Sequence, residues 1–283
     1  MLRRNLASTF VAGAYVFPGG SVDPGDAAPD ALALCDGRDD ADASVLLGVD
    51  SGGLAFWVAA LRECFEEAGV LVARRSEGAE GSGRLLEHPD EETAARLDAA
   101  RRQLNAGRTG FVEVCRREEL VLAADTVHYV SHWITPEVAP RRYDTRFFVT
   151  AAPAGQDARH DDAETVASQW IRPTDALDRY RAGEIELLPP TVANFTSLAR
   201  FGTVAEVLAW AGTVTSVPTV LPIVEFGDGE VLIFRPGDEG YDEAAGRAAD
   251  RATDGVDISE VWPPAGESGF GRVMDADRRR RPD

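Results

Sequence analysis

The chain has 283 residues, 44% of them hydrophobic, enough to bury one sizeable core or one core with an appended segment. Its formal net charge of −19 and pI near 4.6 set up a field that repels phosphate backbones, which argues against nucleic acids and anionic membranes as partners. It contains no lysine, so every fixed cation is an arginine, suited to bidentate contact with phosphate or carboxylate.

Residues 1 to 17 read as a strand, a loop and a second strand, Gly13 to Phe17, with Tyr15 and Phe17 on one face. Met1 to Arg4 has the look of the end of a strand, which leaves open a start further upstream or a short sheet edge. Arg3-Arg4, the apolar run behind them and the small triplet Ala12-Gly13-Ala14 have the form of a short export signal. Cleavage there would remove the strand leading into Phe17-Pro18-Gly19-Gly20, so a cytoplasmic location is expected. Cys35, Cys64 and Cys115 are odd in number and far apart, which indicates neither a disulfide framework nor a zinc site and fits a reducing compartment. No apolar run is long enough to span a bilayer.

Residues 18 to 26 (PGGSVDPGD) are turn chemistry, and residues 27 to 53 are acidic and Ala/Gly-rich, which reads as an exposed insertion with one short helix. The next stretch, through Trp57 to Val70, predicts a helix. Leu54, Val58, Leu61, Phe65 and Ala68 fall on one stripe, and Gly69 supplies the stop. Glu63, Glu66 and Glu67 are spaced i, i+3 and i+4 and converge on another patch. Three crowded carboxylates repel one another unless a cation neutralises them, and hard oxygen ligands suit Mg²⁺ or Mn²⁺; the alternative is a solvated acidic face.

Val70 to Ala73 should return as a strand, and residues 76 to 84 form a flexible linker. Pro89 to Asn105 predicts a helix capped by Asp90, and Phe111 to Leu122 a second one. Strands are expected over Val127–Ile134, Arg146–Ala151 and Thr165–Ile171. A helix over Ala176–Ala182, capped by Thr174 or Asp175, precedes a helical region opened by Pro189-Pro190-Thr191 and another over Val204–Ala211. A hairpin (VLPIVEF-GDG-EVLIF) follows, and the acidic remainder from Pro236 is expected to be partly ordered at best. Strands alternating with helices place the chain in the α/β (α+β) class. The expected organisation is a domain over residues 1–212, with insertions at 27–53 and 76–122, followed by a C-terminal hairpin and tail over 213–283.

Gly20, five residues, Asp26 and then Arg62-Glu63-Cys64-Phe65-Glu66-Glu67-Ala68-Gly69-Val70 resemble the Nudix box, the loop–helix–loop signature of Nudix hydrolases. The second half, REUxEExGU, matches at every specified position, with Cys64 at the aliphatic U. Asp26 stands where the pattern has glutamate, and the 27–53 insertion splits the box; lengthening a surface loop costs only (3/2)RT ln n. Split boxes preceded by Gly-x-x-x-Phe-Pro-Gly-Gly resemble the coenzyme A diphosphatase-like branch, and GAYVFPGG at 13–20 fits; Thr9 stands where that branch's fuller signature has an arginine.

The resemblance, covering roughly residues 1 to 210, implies a Nudix fold with a mixed sheet between helices. It also implies metal-dependent hydrolysis of a diphosphate bond in a nucleoside-diphosphate-linked substrate. Glu63, Glu66 and Glu67 would hold Mg²⁺ or Mn²⁺, with the base among them or on a later loop, where Glu164 is the candidate. Arg62 would pair with Glu66 and orient the cluster, and Gly19 and Gly20 would let the backbone approach the metal and phosphates. Phe17 is a candidate to stack on a base, and Arg4 and Arg142 to hold phosphate, against ordinary core packing and surface ion pairing.

The partner expected is therefore an anionic nucleotide-type small molecule. Coenzyme A or acyl-CoA leads over a sugar nucleotide, dinucleotide or nucleoside triphosphate. A nucleotide-binding module without turnover is the rival from another class. The assembly is open between a monomer and the homodimer that many relatives form.

Overall fold

The computed structural model describes residues 1–5, 13–76, 83–139, 141–160, 165–227, 230–253 and 273–275. In chain order these form β1 (Leu2–Arg4), β2 (Tyr15–Val16), α1 (Pro29–Leu32), α2 (Asp40–Leu47), α3 (Leu54–Ala68) and β3 (Ala73–Arg75). Next come α4 (Glu91–Asn105), α5 (Phe111–Arg117), β4 (Leu120–Leu122), β5 (His128–Ile134), β6 (Asp144–Val149) and β7 (Thr165–Ser168). The chain ends in α6 (Pro173–Arg181), α7 (Pro189–Leu198), α8 (Val204–Ala211), β8 (Thr219–Val220), β9 (Ile223–Gly227), β10 (Glu230–Phe234), α9 (Tyr241–Thr253) and β11 (Val273–Asp275). The α/β character read from the alternation is present. The strands form four short ladders, ordered β2-β1-β7, β3-β4, β6-β5-β8 and β11-β10-β9.

The chain divides into two units, the first comprising residues 1–8, 12–130 and 148–217 and the second residues 9–11, 131–147 and 218–283. Helix α3 is the spine of the first. Its expected stripe, Leu54, Val58, Leu61, Phe65 and Ala68, is buried throughout, and Gly69 ends it at φ 71°. Trp57 is fully buried, its Nε1 donating to the Val127 carbonyl at 2.9 Å, with Phe148 edge-on at 4.8 Å between centroids. A smaller apolar cluster in the same unit gathers Ala176, Leu177, Ile185, Leu187 and Phe195 from α6, α7 and the turn between them.

The 27–53 insertion differs from the expected exposed loop with one helix. It carries two, α1 and α2, and buries Ala31, Ala43 and Leu47 in the main core. Two of its acidic residues, Asp39 and Asp40, accept from backbone donors. Asp39 caps α2 by accepting from Asp42 N at 2.8 Å. Asp40 accepts from Gly52 N and Leu54 N, each at 2.9 Å, and Ser44 Oγ accepts from Gly53 N at 3.0 Å. Gly53, at the N-cap of α3, has no side chain to satisfy these donors, so α2 caps α3 from outside.

The segment 111–122 is likewise corrected, from one helix to α5 followed by β4. Glu119 at φ 55° breaks the helix, and Leu120 and Leu122 then alternate inward with the period of a strand, paired antiparallel to β3. The return strand after α3 begins at Ala73 rather than Val70. Helix α4 starts at the expected Asp90 cap, which accepts from Thr93 N at 2.7 Å, whereas α6 starts with Pro173 at its first position instead of at Thr174 or Asp175. Most of the 76–84 linker lies outside the described residues.

In the second unit, β9 and β10 form the expected antiparallel hairpin. Within the tail, α9 buries Ala244 and donates from Tyr241 Oη to Leu221 O at 3.0 Å, and β11 pairs in parallel with β10; residues 254–272 and 276–283 lie outside the described residues. Among the described residues, no helix is long and apolar enough to cross a membrane.

Asp40 yields a prediction. Its two backbone bonds, first to Leu54 and then to Gly52, hold its carboxyl below the ordinary value. The stability it contributes is therefore present above the unfolded carboxyl pKa and is lost as pH falls through the lower folded value. Asp40→Ala should cost about 1 kcal/mol in urea unfolding at pH 7, the usual scale of a lost cap. The gap from wild type should close below about pH 3, under the unfolded aspartate value.

Candidate active site

Helix α3 presents Arg62, Glu63, Glu66 and Glu67, and the turn containing Gly19, Gly20, Ser21 and Asp26 faces them. Arg62 is 8% exposed and each of its five donors ends on an oxygen. Nε and Nη2 form a fork on Asp26 at 2.8 and 2.9 Å, and Nη2 also reaches Ser21 O at 2.9 Å. Nη1 donates to Glu63 Oε1 at 2.8 Å and to Glu66 Oε2 at 3.0 Å. Burial works against the guanidinium charge, but the Asp26 hydrogen bonds and the charges of Glu63, Asp26 and Glu66 outweigh it and hold Arg62 protonated above its ordinary value. The expected Arg62–Glu66 pair is therefore one part of a larger hub, in which Asp26 takes the strongest, bidentate share.

Glu67 is nearly buried, and its Oε2 accepts from Gly19 N at 2.9 Å. A Cβ at Gly20 would sit inside the van der Waals envelope of the Glu63 carboxylate, so the backbone reaches the acidic face only because that position is glycine. Burial, reinforced by the negative charges of Glu63 and Asp26, outweighs Arg62 and pushes the Glu66 carboxyl above its ordinary value. The four carboxylates carry more negative charge than Arg62 neutralises.

An all-oxygen donor set with surplus negative charge fits a hard divalent cation. Among the described residues, however, no three acidic, histidine or thiol side chains already converge on one point as a metal set. Glu63 and Glu66 are turned onto Arg62, and Glu67 onto Gly19 N–H. Glu66 Oε1 takes no hydrogen bond among the described residues.

Of the other expected site residues, Phe17 packs against Phe195 of α7, 5.1 Å between centroids, in the smaller apolar cluster. Arg4 pairs through its backbone with Thr165 in β7, its side chain lying outside what is described. Arg142 belongs to the second unit, where its Nε donates to Thr135 O at 3.1 Å. Glu164 lies outside the described residues.

The residue missed from the sequence is Arg101, on α4. The last four carbonyls of a helix have no partner within it. In α3, Phe65 O accepts from Gly69 N at 2.9 Å and Ala68 O from Arg159 N at 2.8 Å. Between them, Arg101 Nε donates to Glu66 O at 2.9 Å and Nη2 to Glu67 O at 2.7 Å, while Asn105 adds a bond to Glu66 O at 3.0 Å. The one available signal was that α3 ends in Glu66 and Glu67 with no basic residue of its own in that turn.

The family model described as the NUDT19 Nudix domain matches residues 45–198, more than half of the chain. The chain is 25% identical over 270 residues to the acyl-coenzyme A diphosphatase NUDT19 of Xenopus laevis, covering 86% of this chain and 71% of that protein. It is 28% identical over 275 residues to the protein of the same name from Homo sapiens, covering 85% and 71%. A NUDIX hydrolase crystal structure from Alicyclobacillus acidocaldarius matches at a TM-score of 0.55 and 29% identity, over 74% of this chain and 86% of that one.

Two outcomes follow from this geometry. Arg62→Gln leaves Asp26 as a buried carboxylate without its guanidinium, and should lower unfolding stability by roughly 3–5 kcal/mol in denaturant titration. Burial, and for Cys64 also the neighbouring Glu67 charge, pushes the thiols up: Cys35 and Cys115 to about 12, Cys64 to about 11. All three should stay unlabelled by DTNB for minutes at pH 8 in the native protein and react at once in urea.

Proposed function

The chain belongs to the NUDT19 Nudix domain family and is a Nudix hydrolase, and from that premise we propose that it cleaves the diphosphate of coenzyme A or an acyl-CoA in a metal-dependent reaction. The observation that carries this reading is the seating of Glu63 and Glu67 against the Gly19-Gly20 backbone, on a helix whose REUxEExGU match is complete. The relatives named as acyl-coenzyme A diphosphatases supply the substrate class.

In this mechanism Glu63, Glu66 and Glu67 would hold Mg²⁺ or Mn²⁺ through carboxylate oxygens. A divalent cation held there would supply a more acidic water and charge neutralisation for the phosphate oxygens. Glu66, whose Oε1 takes no hydrogen bond among the described residues, is the foremost ligand. Arg62 touches no substrate in this scheme. It fixes the rotamers of Glu63 and Glu66 against the turn holding Ser21 and Asp26. The glycines keep the facing wall free of side chains, so a diphosphate can lie against backbone. The base that takes the water proton would be one of these carboxylates or Glu164, which immediately precedes β7 in sequence.

Intact Glu63, Glu66 and Glu67 count against a binding-only module, and Asp26, where the pattern has glutamate, keeps a bidentate ion pair with Arg62.

Purified protein incubated with Mn²⁺ and coenzyme A, an acyl-CoA, ADP-ribose, NADH or dinucleoside polyphosphates should release adenosine 3′,5′-bisphosphate and a phosphopantetheine product from the first two. A preference for ADP-ribose would replace the proposed substrate. Glu66→Gln should leave the unfolding midpoint nearly unchanged and lower kcat by about two orders of magnitude or more, the scale of a lost group acting on developing charge.

A further inference from the structure

Helix α3 ends with the wrong sign of charge. A helix C-terminus carries a partial negative charge from its unpaired carbonyls and favours cations, yet this last turn holds Glu66 and Glu67 and no base. The missing cation comes from a separate helix. Arg101 of α4 is buried, 8% exposed, and donates to three main-chain carbonyls: Glu66 O, Glu67 O and, from Nη2 at 2.9 Å, Arg159 O. Gly69 leaves the room this requires, since a Cβ there would lie 3.0 Å from Arg101 Nη1.

One guanidinium therefore holds three things together: the backbone that sets where the Glu66 and Glu67 side chains originate, the helical insertion carrying α4, and the segment that runs on towards Glu164. Asn105, one turn further along α4, doubles the bond to Glu66 O.

We propose that Arg101 is a positioning residue for the hydrolytic site, placing the Glu66–Glu67 turn for cation binding through that turn's carbonyls, and that α4 is thereby part of the working enzyme rather than a peripheral insertion. The inference rests on the reading of Glu66 and Glu67 as metal-holding groups. Arg101 acts here through the main chain, at the Glu66 and Glu67 carbonyls. Its loss lets the last turn of α3 fray and moves the origin of both carboxylates, so the cation is held less tightly and the chemical step slows, while the remainder of the substrate surface is untouched.

The test compares Arg101→Gln and Arg101→Lys with Arg96→Gln, a control on the same helix. Arg96 donates to Glu118, Glu92 and Thr93 and has no hydrogen bond to α3 among the described residues. Mn²⁺ alone is titrated by EPR well below each variant's unfolding midpoint, and kcat and KM for coenzyme A are measured separately. Arg101→Gln should weaken Mn²⁺ binding about tenfold to a hundredfold, the scale for groups that orient ligands, with a similar fall in kcat and little change in KM. Arg101→Lys should recover part of both, since an ammonium supplies the charge without the fork. Arg96→Gln should bind Mn²⁺ as wild type does.

Wild-type Mn²⁺ affinity and kcat in a folded Arg101→Gln would overturn the proposal while leaving the hydrolase reading intact. If Arg101→Gln does not fold, Arg101→Lys decides, and wild-type affinity in it overturns the proposal. A wild-type protein with neither Mn²⁺ uptake nor turnover would remove the metal-hydrolase reading, and this inference with it.

Discussion

The guanidinium of Arg62 ties together a turn and a helix that are 36 residues apart in sequence. Its partners on one side are Ser21 and Asp26, and on the other Glu63 and Glu66. Taking such a charge out of water is costly, and the cost is met only when every donor finds an oxygen, as it does here. A buried ion pair of this kind is weak evidence for stability in itself; its effect is to fix geometry. With Arg62 in place, the Gly19-Gly20 backbone can meet Glu67 and Glu63 in only one register, and the acidic face faces a wall of main chain.

That geometry needs a rigid α3, and the helix lacks the local means to be rigid. Its N-cap is a glycine and its last turn is acidic. Both faults are repaired from elsewhere: at the start by Asp40 and Ser44 of α2, at the end by Arg101 and Asn105 of α4 and by the Arg159 backbone. The two insertions thus supply the caps that α3 does not carry. Where a sequence breaks local rules, the break falls at functional positions and is compensated at a distance. Here the compensation can be traced bond by bond. Gln156 extends the same pattern one step downstream, exchanging amide bonds with Leu71 N and Leu71 O and donating to Leu86 O, so the chain leaving α3 is held by a side chain acting as a strand neighbour.

This division explains what was legible in the sequence. The stripe from Leu54 to Ala68, the glycine stop and the Asp90 cap are local patterns with a fixed period, and each could be read directly. The acidic spacing of Glu63, Glu66 and Glu67 was equally plain, because it is set by one helix. The 27–53 stretch was misread because counting charges does not distinguish a solvated aspartate from one bonded to backbone N–H groups, as Asp39 and Asp40 are. Residues 120–122 read as the end of a helix because three apolar residues fit either period, and the partners that make them a strand, β3 and the Leu34–Asp36 backbone, lie far away in sequence. Arg101 looked like an ordinary base near a helix end. Nothing in a helical pattern reveals that a guanidinium will turn to another helix's carbonyls.

The departure at Asp26 follows from the same constraint of space. Asp26 closes a tight turn on itself, with Asp26 N donating to Asp23 O at 2.9 Å and Asp23 N donating to Asp26 Oδ2 at 2.8 Å. The turn carries the carboxylate to the Arg62 fork with both oxygens engaged and only 3% of the residue exposed. A longer acid in that enclosure would have to fold back an extra methylene or push the turn away from the helix, and overfilling a packed site costs about 1–3 kcal/mol. The shorter side chain and the closer turn are therefore one arrangement. What the arginine requires is two oxygens in a plane at hydrogen-bond distance, and Asp26 meets that requirement by bringing the backbone nearer instead of reaching further.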